Sequence, residues 1–529
     1  MEFSAENSLI LVGLLAAAAA LLATAELVRI PYPILLVLGG LGLGLVPGMP
    51  RIELAPDLVL VAILPPLLYG TAFFTSLREL RANVRPITLL AVGLVLTTMI
   101  AVAVVAHAVI PGLTWPGAFV LGAIVSPTDP TAASAIAQRL GLPRRLIALI
   151  EGESLVNDGT ALVAYRFAVA AVVTGSFSLA TASGRFLLNV AGGIAVGLAV
   201  GFVIRQVRRR LDNPPVEITI SILSGYFAYL PAQAAGVSGI LAAVTVGIYM
   251  GWYTPELTTP QMRLQGAAVW EILFFLLNAI LFALIGLQLP AIIDALSGTS
   301  PGSLIFYAVI VTAAVIGSRF LWIFAATYLP RLLRLRAGDR PAPAWKEATI
   351  LTWAGMRGAV SLAAALALPF TTDAGTPFPD RDLIVFLTFA VILGTLVVQG
   401  LTLPGLIARL GLEDDRLAET EEAKARIHAA DAALARLEEL LEEEWVLEDT
   451  ADRLRGLYNF RRERFRTRFD AESDRTIEDR STNYQRLRHE LLEAEHRAIL
   501  ELRRSGRIDD AVMRQIERDL DLEDARLDL

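Results

Sequence analysis

Apolar runs of 18 residues or more recur along this 529-residue chain, and each is long enough to cross about 30 Å of hydrocarbon. With 55% hydrophobic residues, 19% charged residues and a mean hydropathy of +0.56, the chain holds more apolar side chain than a soluble protein of its length could bury. The class this implies is an all-α polytopic membrane protein, because a helix satisfies its own backbone in lipid. Thirteen spans are read at 9–27, 32–47, 55–73, 86–107, 115–138, 145–174, 185–204, 217–234, 237–251, 265–288, 303–329, 345–369 and 383–408. The start of the chain, with Glu2, Glu6 and no basic residue before Leu9, has the wrong charge for a cleavable signal peptide, so 9–27 reads as the first span.

Charge divides the chain. Residues 1–410 carry 24 basic and 20 acidic side chains, whereas 411–529 carry 22 and 33, so a membrane domain at 1–410 and a charged tail at 411–529 are expected. The tail has apolar spacing near 3.6 over Ala423 to Leu447 and Tyr484 to Ile508, which predicts helices, and a basic run at 461–468 that reads as a solvated face. Arginines concentrate in alternate loops, at Arg78, Arg81 and Arg85, at Arg139, Arg144 and Arg145, at Arg205, Arg208, Arg209 and Arg210, and at Arg331, Arg334, Arg336 and Arg340. The positive-inside rule places these loops in the cytoplasm, with the N-terminus outside and the tail cytoplasmic, as an odd number of spans requires. A bacterial inner (plasma) membrane is the expected location.

Cysteine is absent, which excludes disulfides, thiolate zinc sites and thiol catalysis. Of His107, His428, His489 and His496 only the first precedes the tail, so no histidine metal cluster is available in the membrane; His107 reads as an interfacial residue. The chemistry lies elsewhere. SPTDPT at 126–131 and GMRG at 355–358 interrupt two apolar segments, and broken helices in corresponding halves point to a transporter's midplane site. Pro127 and Pro130 remove backbone donors, leaving carbonyls that, with the Thr128 hydroxyl, are hard oxygen ligands for a small cation, while Asp129 sits in the break. In LIEGESLVNDGTALV at 149–163, Ser154 and Asp158 share one helical face and Glu153 and Asn157 the adjacent one; Glu151 reads equally well as a solvated helix-end residue. Arg319 and Arg357 lie in apolar surroundings and need carboxylate or carbonyl partners. Two arginines against Asp129, Glu153 and Asp158 leave one carboxylate free to titrate, which suggests ion exchange.

With these motifs in order, residues 10–410 resemble the monovalent cation:proton antiporters of the NhaP and eukaryotic sodium/proton exchanger type; ILPPLLYGTAF at 63–73 and GMRGAVSLA at 355–363 add to the match. The resemblance implies inverted repeats, two crossed broken helices, a homodimer and no cofactor. It implies that Asp158 is the exchanged carboxylate and that Thr128 (through its carbonyl), Ser154 and Glu153 complete the cation shell with water, sodium resting on Asp158, Thr128 and Ser154. Asn157 stands where electrogenic relatives carry a second Asp, Glu153 bridges to Arg319, and Asp129 and Arg357 balance helix-dipole ends. Gly70 departs from the pattern, since many relatives carry a glutamate there.

The expected function is electroneutral exchange of sodium, or of lithium or potassium, for protons, by competition at Asp158. A channel would need a filter loop, and none is present. A membrane enzyme would need a nucleophile and base, and an organic-anion carrier would leave an arginine unpaired. The lipid bilayer is the expected partner, nucleic acid is not, and the tail is expected to have room for a regulatory ligand of unidentified kind.

Overall fold

The computed structural model describes residues 32–44, 58–175, 179–296, 298–332, 345–412, 417–443, 445–466 and 475–524; the expected span at 9–27 lies outside them. The chain divides into two compact units, Met1–Glu413 and Asp414–Leu529. Among the described residues the backbone is helical, and the extended pairing is a single bridge between Thr371 and Pro377.

The first unit begins with α1 (Tyr32–Gly44). A π-helical stretch, Leu58–Ile63, runs into α2 (Leu64–Phe74), followed by the short α3 (Leu77–Ala82) and then α4 (Val84–Val109). Next come α5 (Trp115–Val125), α6 (Pro130–Arg139), α7 (Arg144–Thr174), α8 (Leu179–Arg208), α9 (Pro214–Ala234), α10 (Gly239–Leu257), α11 (Pro260–Ala295), α12 (Pro301–Leu332), α13 (Trp345–Trp353), α14 (Ala359–Leu366) and α15 (Arg381–Leu410). Six of the described helical segments are both long and apolar enough to cross a membrane unaided: Val84–Val109, Arg144–Thr174, Leu187–Arg208, Pro260–Leu284, Pro301–Leu329 and Arg381–Leu410.

Helix starts follow local chemistry. The side chains of Thr114, Asn213, Ser238 and Thr259 each accept the N–H of the residue three positions on, at 3.3 Å, and prolines fill the first turns of α5, α9 and α11. The segments at 115–138 and 345–369 are pairs of short helices, with the interruptions where SPTDPT and GMRG lie. Residues 126–129 and 354–358 stay out of helix, as the prolines and glycines there require.

Packing sorts the helices into two groups. A large apolar cluster gathers side chains of α4 to α7 and α12 to α15, with α1 and α11 against it. A second cluster joins Tyr69 of α2, Ile204 of α8, Ala228 of α9, Met250 of α10 and Trp270 of α11. Between them runs an apolar seam, Leu64 and Leu68 of α2, Leu155 of α7, Tyr229 of α9 and Ile240 and Val244 of α10, with Leu162 and Val360 at its edge.

The second group hides an ion pair that sequence reading had placed in a loop. Arg208, counted there among the cytoplasmic arginines, is 1% exposed; its guanidinium donates to Glu217 Oε2 and to Thr254 Oγ1, each at 3.3 Å, tying α8 to α9 and α10.

In the second unit α16 (Leu417–Leu440) packs on α17 (Glu448–Arg466), and α18 (Arg475–Arg504) on α19 (Asp510–Asp524). Helix α18 stops short of the expected Ile508 because Gly506 takes a left-handed φ of 70° and the Arg507 N–H closes on the Leu502 carbonyl. The basic run at 461–468 is partly engaged: Arg462 pairs with Asp431 at 3.2 Å and Arg466 with Glu463 at 3.1 Å.

The Arg208 pair sets a measurable expectation. Glu217→Ala leaves a guanidinium buried without its carboxylate and should cost about 3–5 kcal/mol. It should lower the thermal midpoint of the purified protein in detergent, and Arg208→Met with Glu217→Leu should recover most of that loss. An unchanged midpoint for Glu217→Ala would show that the pair does not hold these helices.

Candidate ion-binding site

Two interrupted helices leave four helix ends inside the first unit, each with unsatisfied backbone groups. The breaks meet: the Asp129 N–H donates to the Met356 carbonyl at 2.8 Å. Asp129 then serves both amide ends at once. Its Oδ1 accepts the Thr131 N–H of α6 at 2.9 Å, and its Oδ2 accepts the Ala359 N–H of α14 at 3.3 Å. One carboxylate thus sits at two positive helix ends. The carbonyl ends are served by arginines. Arg357 Nη1 donates to the Ser126 carbonyl at the end of α5, at 2.6 Å. Arg319, from the middle of α12, donates to the Leu351 and Thr352 carbonyls at the end of α13, at 2.8–3.2 Å.

Arg319 also clamps Glu153 of α7 through both guanidinium nitrogens, with Nη2 to Oε2 at 2.8 Å; the two side chains are 2% and 1% exposed. The network continues through Thr128, whose hydroxyl donates to Glu153 Oε1 at 3.1 Å and accepts Asn157 Nδ2 at 2.7 Å. The Ser154 hydroxyl donates to the Thr128 carbonyl at 2.6 Å. All these groups are buried, so the 126–129 break is held in one conformation by α7 on one side and by the 354–358 break on the other.

The two stripes of α7 therefore have different surroundings. Glu153 and Asn157 point into the ion-pair network. Glu151, Ser154 and Asp158 line a cavity of about 470 Å³, together with Thr128, Asp129, Ser134, Gln138, Asn278 and Ser361. Its rim is exposed at Phe74, Ala135 and Gln138, and its floor is buried at Ser154, Asp158 and Ser361. No described group donates a hydrogen bond or forms an ion pair with Asp158, and its Oδ1 is fully buried without a partner. On the far side the apolar seam intervenes. Beyond it lies a second, smaller cavity of about 70 Å³, where Arg166 Nη2 donates to Gln233 Oε1 and Gln233 Nε2 to the Tyr229 hydroxyl, both at 2.9 Å.

Of the residues singled out from sequence, Asp158, Ser154, Thr128 and Asp129 meet at the cavity. Glu153, Asn157, Arg319 and Arg357 lie behind it and do not line it. Sequence reasoning passed over Ser134, Gln138, Asn278 and Ser361. The signal for Ser134 and Gln138 was their i,i+4 spacing on the helix after the break, and for Asn278 an amide inside an apolar helix. At Gly70, the position that departs from the family pattern, a Cβ would overlap Phe274, and Trp270 Cζ3 lies 2.7 Å from it, so aromatic rings fill the room a larger side chain would need. His107 stacks on Trp115 at 4.2 Å and bonds the Leu113 carbonyl at 2.7 Å at the end of its helix.

Two glycines of the second break are required by close approach. A Cβ on Gly358 would overlap Asp129 Oδ2, and one on Gly355 would overlap Arg319 Nε. Gly358→Ala and Gly355→Ala should each cost about 1–3 kcal/mol or more through forced displacement of these charged groups. Gly405→Ala in α15, where a Cβ meets nothing within 4 Å, serves as the control. Thermal midpoints in detergent should fall for the first two variants alone; equal midpoints for all three would discard this account of the break.

Residues 13–409 match the family model described as sodium/hydrogen exchanger, transmembrane. An uncharacterised Na+/H+ exchanger of Mycobacterium tuberculosis is 37% identical over 504 residues, covering 94% of this chain and 92% of that protein. A protein of Bacillus pumilus, named a sodium, potassium, lithium and rubidium/H+ antiporter, is 38% identical over 401 residues, covering 73% of this chain and 60% of its own. In fold, the chain is similar to the sodium proton antiporter MjNhaP1 of Methanocaldococcus jannaschii, with a TM-score of 0.62 at 20% identity over 76% of this chain and 98% of that one. The chain belongs to the sodium/hydrogen exchanger family, as a multi-pass membrane transporter of the monovalent cation:proton antiporter type and not an enzyme.

Proposed function

We propose that the protein exchanges sodium, or another alkali cation, for protons one for one, through competition at Asp158. The observation that carries this reading is the free carboxylate at the buried floor of a cavity. The two carboxylates that flank it in the network are occupied, Glu153 by Arg319 and Asp129 by two helix ends, and the remaining one, Glu151, stands nearer the rim and is half-buried. An uncompensated carboxylate in such a place must take up a cation or a proton. Next to it, Ser154 bonds the Thr128 carbonyl. Turning that hydroxyl away would free two hard oxygens beside Asp158, which with cavity water can replace a small cation's hydration shell. Glu153 and Asn157 contribute by holding Thr128. Because Asn157 is neutral and Glu153 is paired, one charge is exchanged per cycle and transport is electroneutral.

The rest of the assignment follows the family and the charge pattern. Arg139 follows the rim residue Gln138 in the chain and Arg144 opens α7, so the positive-inside rule puts the cavity mouth on the cytoplasmic side, with the N-terminus outside and residues 411–529 inside. The thirteen spans with inverted repeats, the plasma-membrane homodimer and the 1–410 and 411–529 division belong to the same proposal, as does a regulatory ligand on the tail. Alternating access would move the helix group bearing the breaks along the apolar seam, closing the cytoplasmic cavity and opening the Arg166–Gln233 side. The name of the Bacillus pumilus relative supports testing potassium, lithium and rubidium beside sodium.

Purified protein in liposomes with an internal pH dye, at clamped potential, should move protons when an alkali cation is added, carry no current, and lose at least 90% of that rate in Asp158→Ala. Competition with one proton requires the apparent KM for the cation to rise about tenfold per pH unit below the titration of the site, because only the deprotonated ligand binds. No response to any alkali cation from folded protein, or a KM indifferent to pH, would reject the proposal.

A further inference from the structure

The charged group nearest the cavity rim on α7 is Glu151, seven residues before Asp158 and on the same face, so about 10 Å from it along the helix axis. It is half-buried, and among the described residues no arginine or lysine pairs with it. The side chains of Ser134 and Gln138, one turn apart on α6, line the same cavity as Glu151, and α3, which packs on α7, carries a second carboxylate at Glu79. Yet the Ser134 hydroxyl, nine-tenths buried, has no hydrogen-bond partner. A buried hydroxyl left unsatisfied beside an unpaired carboxylate, both on the wall of the same cavity, is an arrangement that something else completes.

From this geometry we infer that Glu151, Ser134 and Gln138 form a second cation position, an outer waiting site that takes an alkali cation from solution before it reaches Asp158. The donor set is a carboxylate, a hydroxyl and an amide oxygen, all hard oxygen ligands without the fixed geometry or charge that a divalent ion demands. Its position between exposed rim and buried floor lets a cation shed water in two stages. The carboxylates of Glu151 and, on the adjoining α3, Glu79 attract a cation towards the cavity, an effect that salt screens. The inference rests on the exchange reading above, and concerns capture of the ion rather than its exchange with a proton.

The test is the apparent KM for sodium and for lithium in the same liposomes, at about 0.01 M and about 0.15 M ionic strength set with choline chloride, where the screening length falls from about 30 to about 8 Å. Glu151→Gln should raise KM three- to tenfold at low ionic strength, and less at high. Glu151→Asp should stay within twofold of the parent. Ser134→Ala, which keeps the charge, should raise KM about twofold and is read the same way should Glu151→Gln fail to assemble. A KM for Glu151→Gln within 1.5-fold of the parent at low ionic strength overturns the waiting site, as does a loss of rate that ionic strength and Glu151→Asp do not alter. A parent protein that shows no cation-dependent exchange at all fails the exchange reading instead, so the two failures are distinct.

Discussion

Four helix ends inside a membrane protein would each leave backbone amides or carbonyls without water to satisfy them. The architecture around Asp158 depends on how this chain resolves that constraint. One carboxylate, Asp129, serves both amide ends, and two arginines, Arg357 and Arg319, serve the carbonyl ends. Arg319 then needs its own counter-charge, which Glu153 supplies, and Glu153 in turn positions Thr128. Each charge is introduced to satisfy backbone and is itself satisfied by the next group. Asp158, the carboxylate proposed as the exchange site, lies beside the end of that sequence of contacts.

Seen this way, Asp158 is defined by exclusion. Its neighbours on α7 are committed to the network or to the Thr128 carbonyl, and nothing described donates to it. A transport site must hold its ion firmly enough to select it and loosely enough to release it. A carboxylate kept clear of fixed partners suits the exchange proposed for it, in which its partner would change through the cycle. On the proposed exchange reading the network behind Asp158 and the cavity before it have complementary roles, one holding the oxygens in place and the other being the route for cations and protons.

The apolar seam through Leu155, Tyr229, Ile240 and Val244 completes this logic. It is mostly aliphatic, Tyr229 being the aromatic member whose hydroxyl accepts from Gln233, and aliphatic surfaces can slide past one another with little loss of specific contact. The polar Arg166–Gln233–Tyr229 chain beyond it is small and local, in keeping with contacts that break and re-form. By contrast, the buried Arg208–Glu217 pair lies within the second helix group and ties α8 to α9 by a fixed, charged contact.

Much of this was legible in the sequence. Apolar length dictated spans, proline and glycine dictated the two breaks, and the i,i+4 spacing of Ser154 with Asp158 and Glu153 with Asn157 placed two oxygen stripes on one helix. These are local properties, set by residue type and helical period. Charge counting suggested that one carboxylate stays free to titrate but could not say which, because pairing joins residues such as Glu153 and Arg319 that lie 166 positions apart, and because Asp129 is held by backbone amides and not by an arginine. Only the tertiary structure decided that Arg357 serves a carbonyl, that Arg208 leaves its loop for a buried partner, that aromatic rings fill the space at Gly70, and that Glu151 and Ser134 face one cavity. The physical reason is the same in each case: helical period fixes which side of a helix a residue occupies, whereas what stands opposite that side is set by packing between segments far apart in the chain.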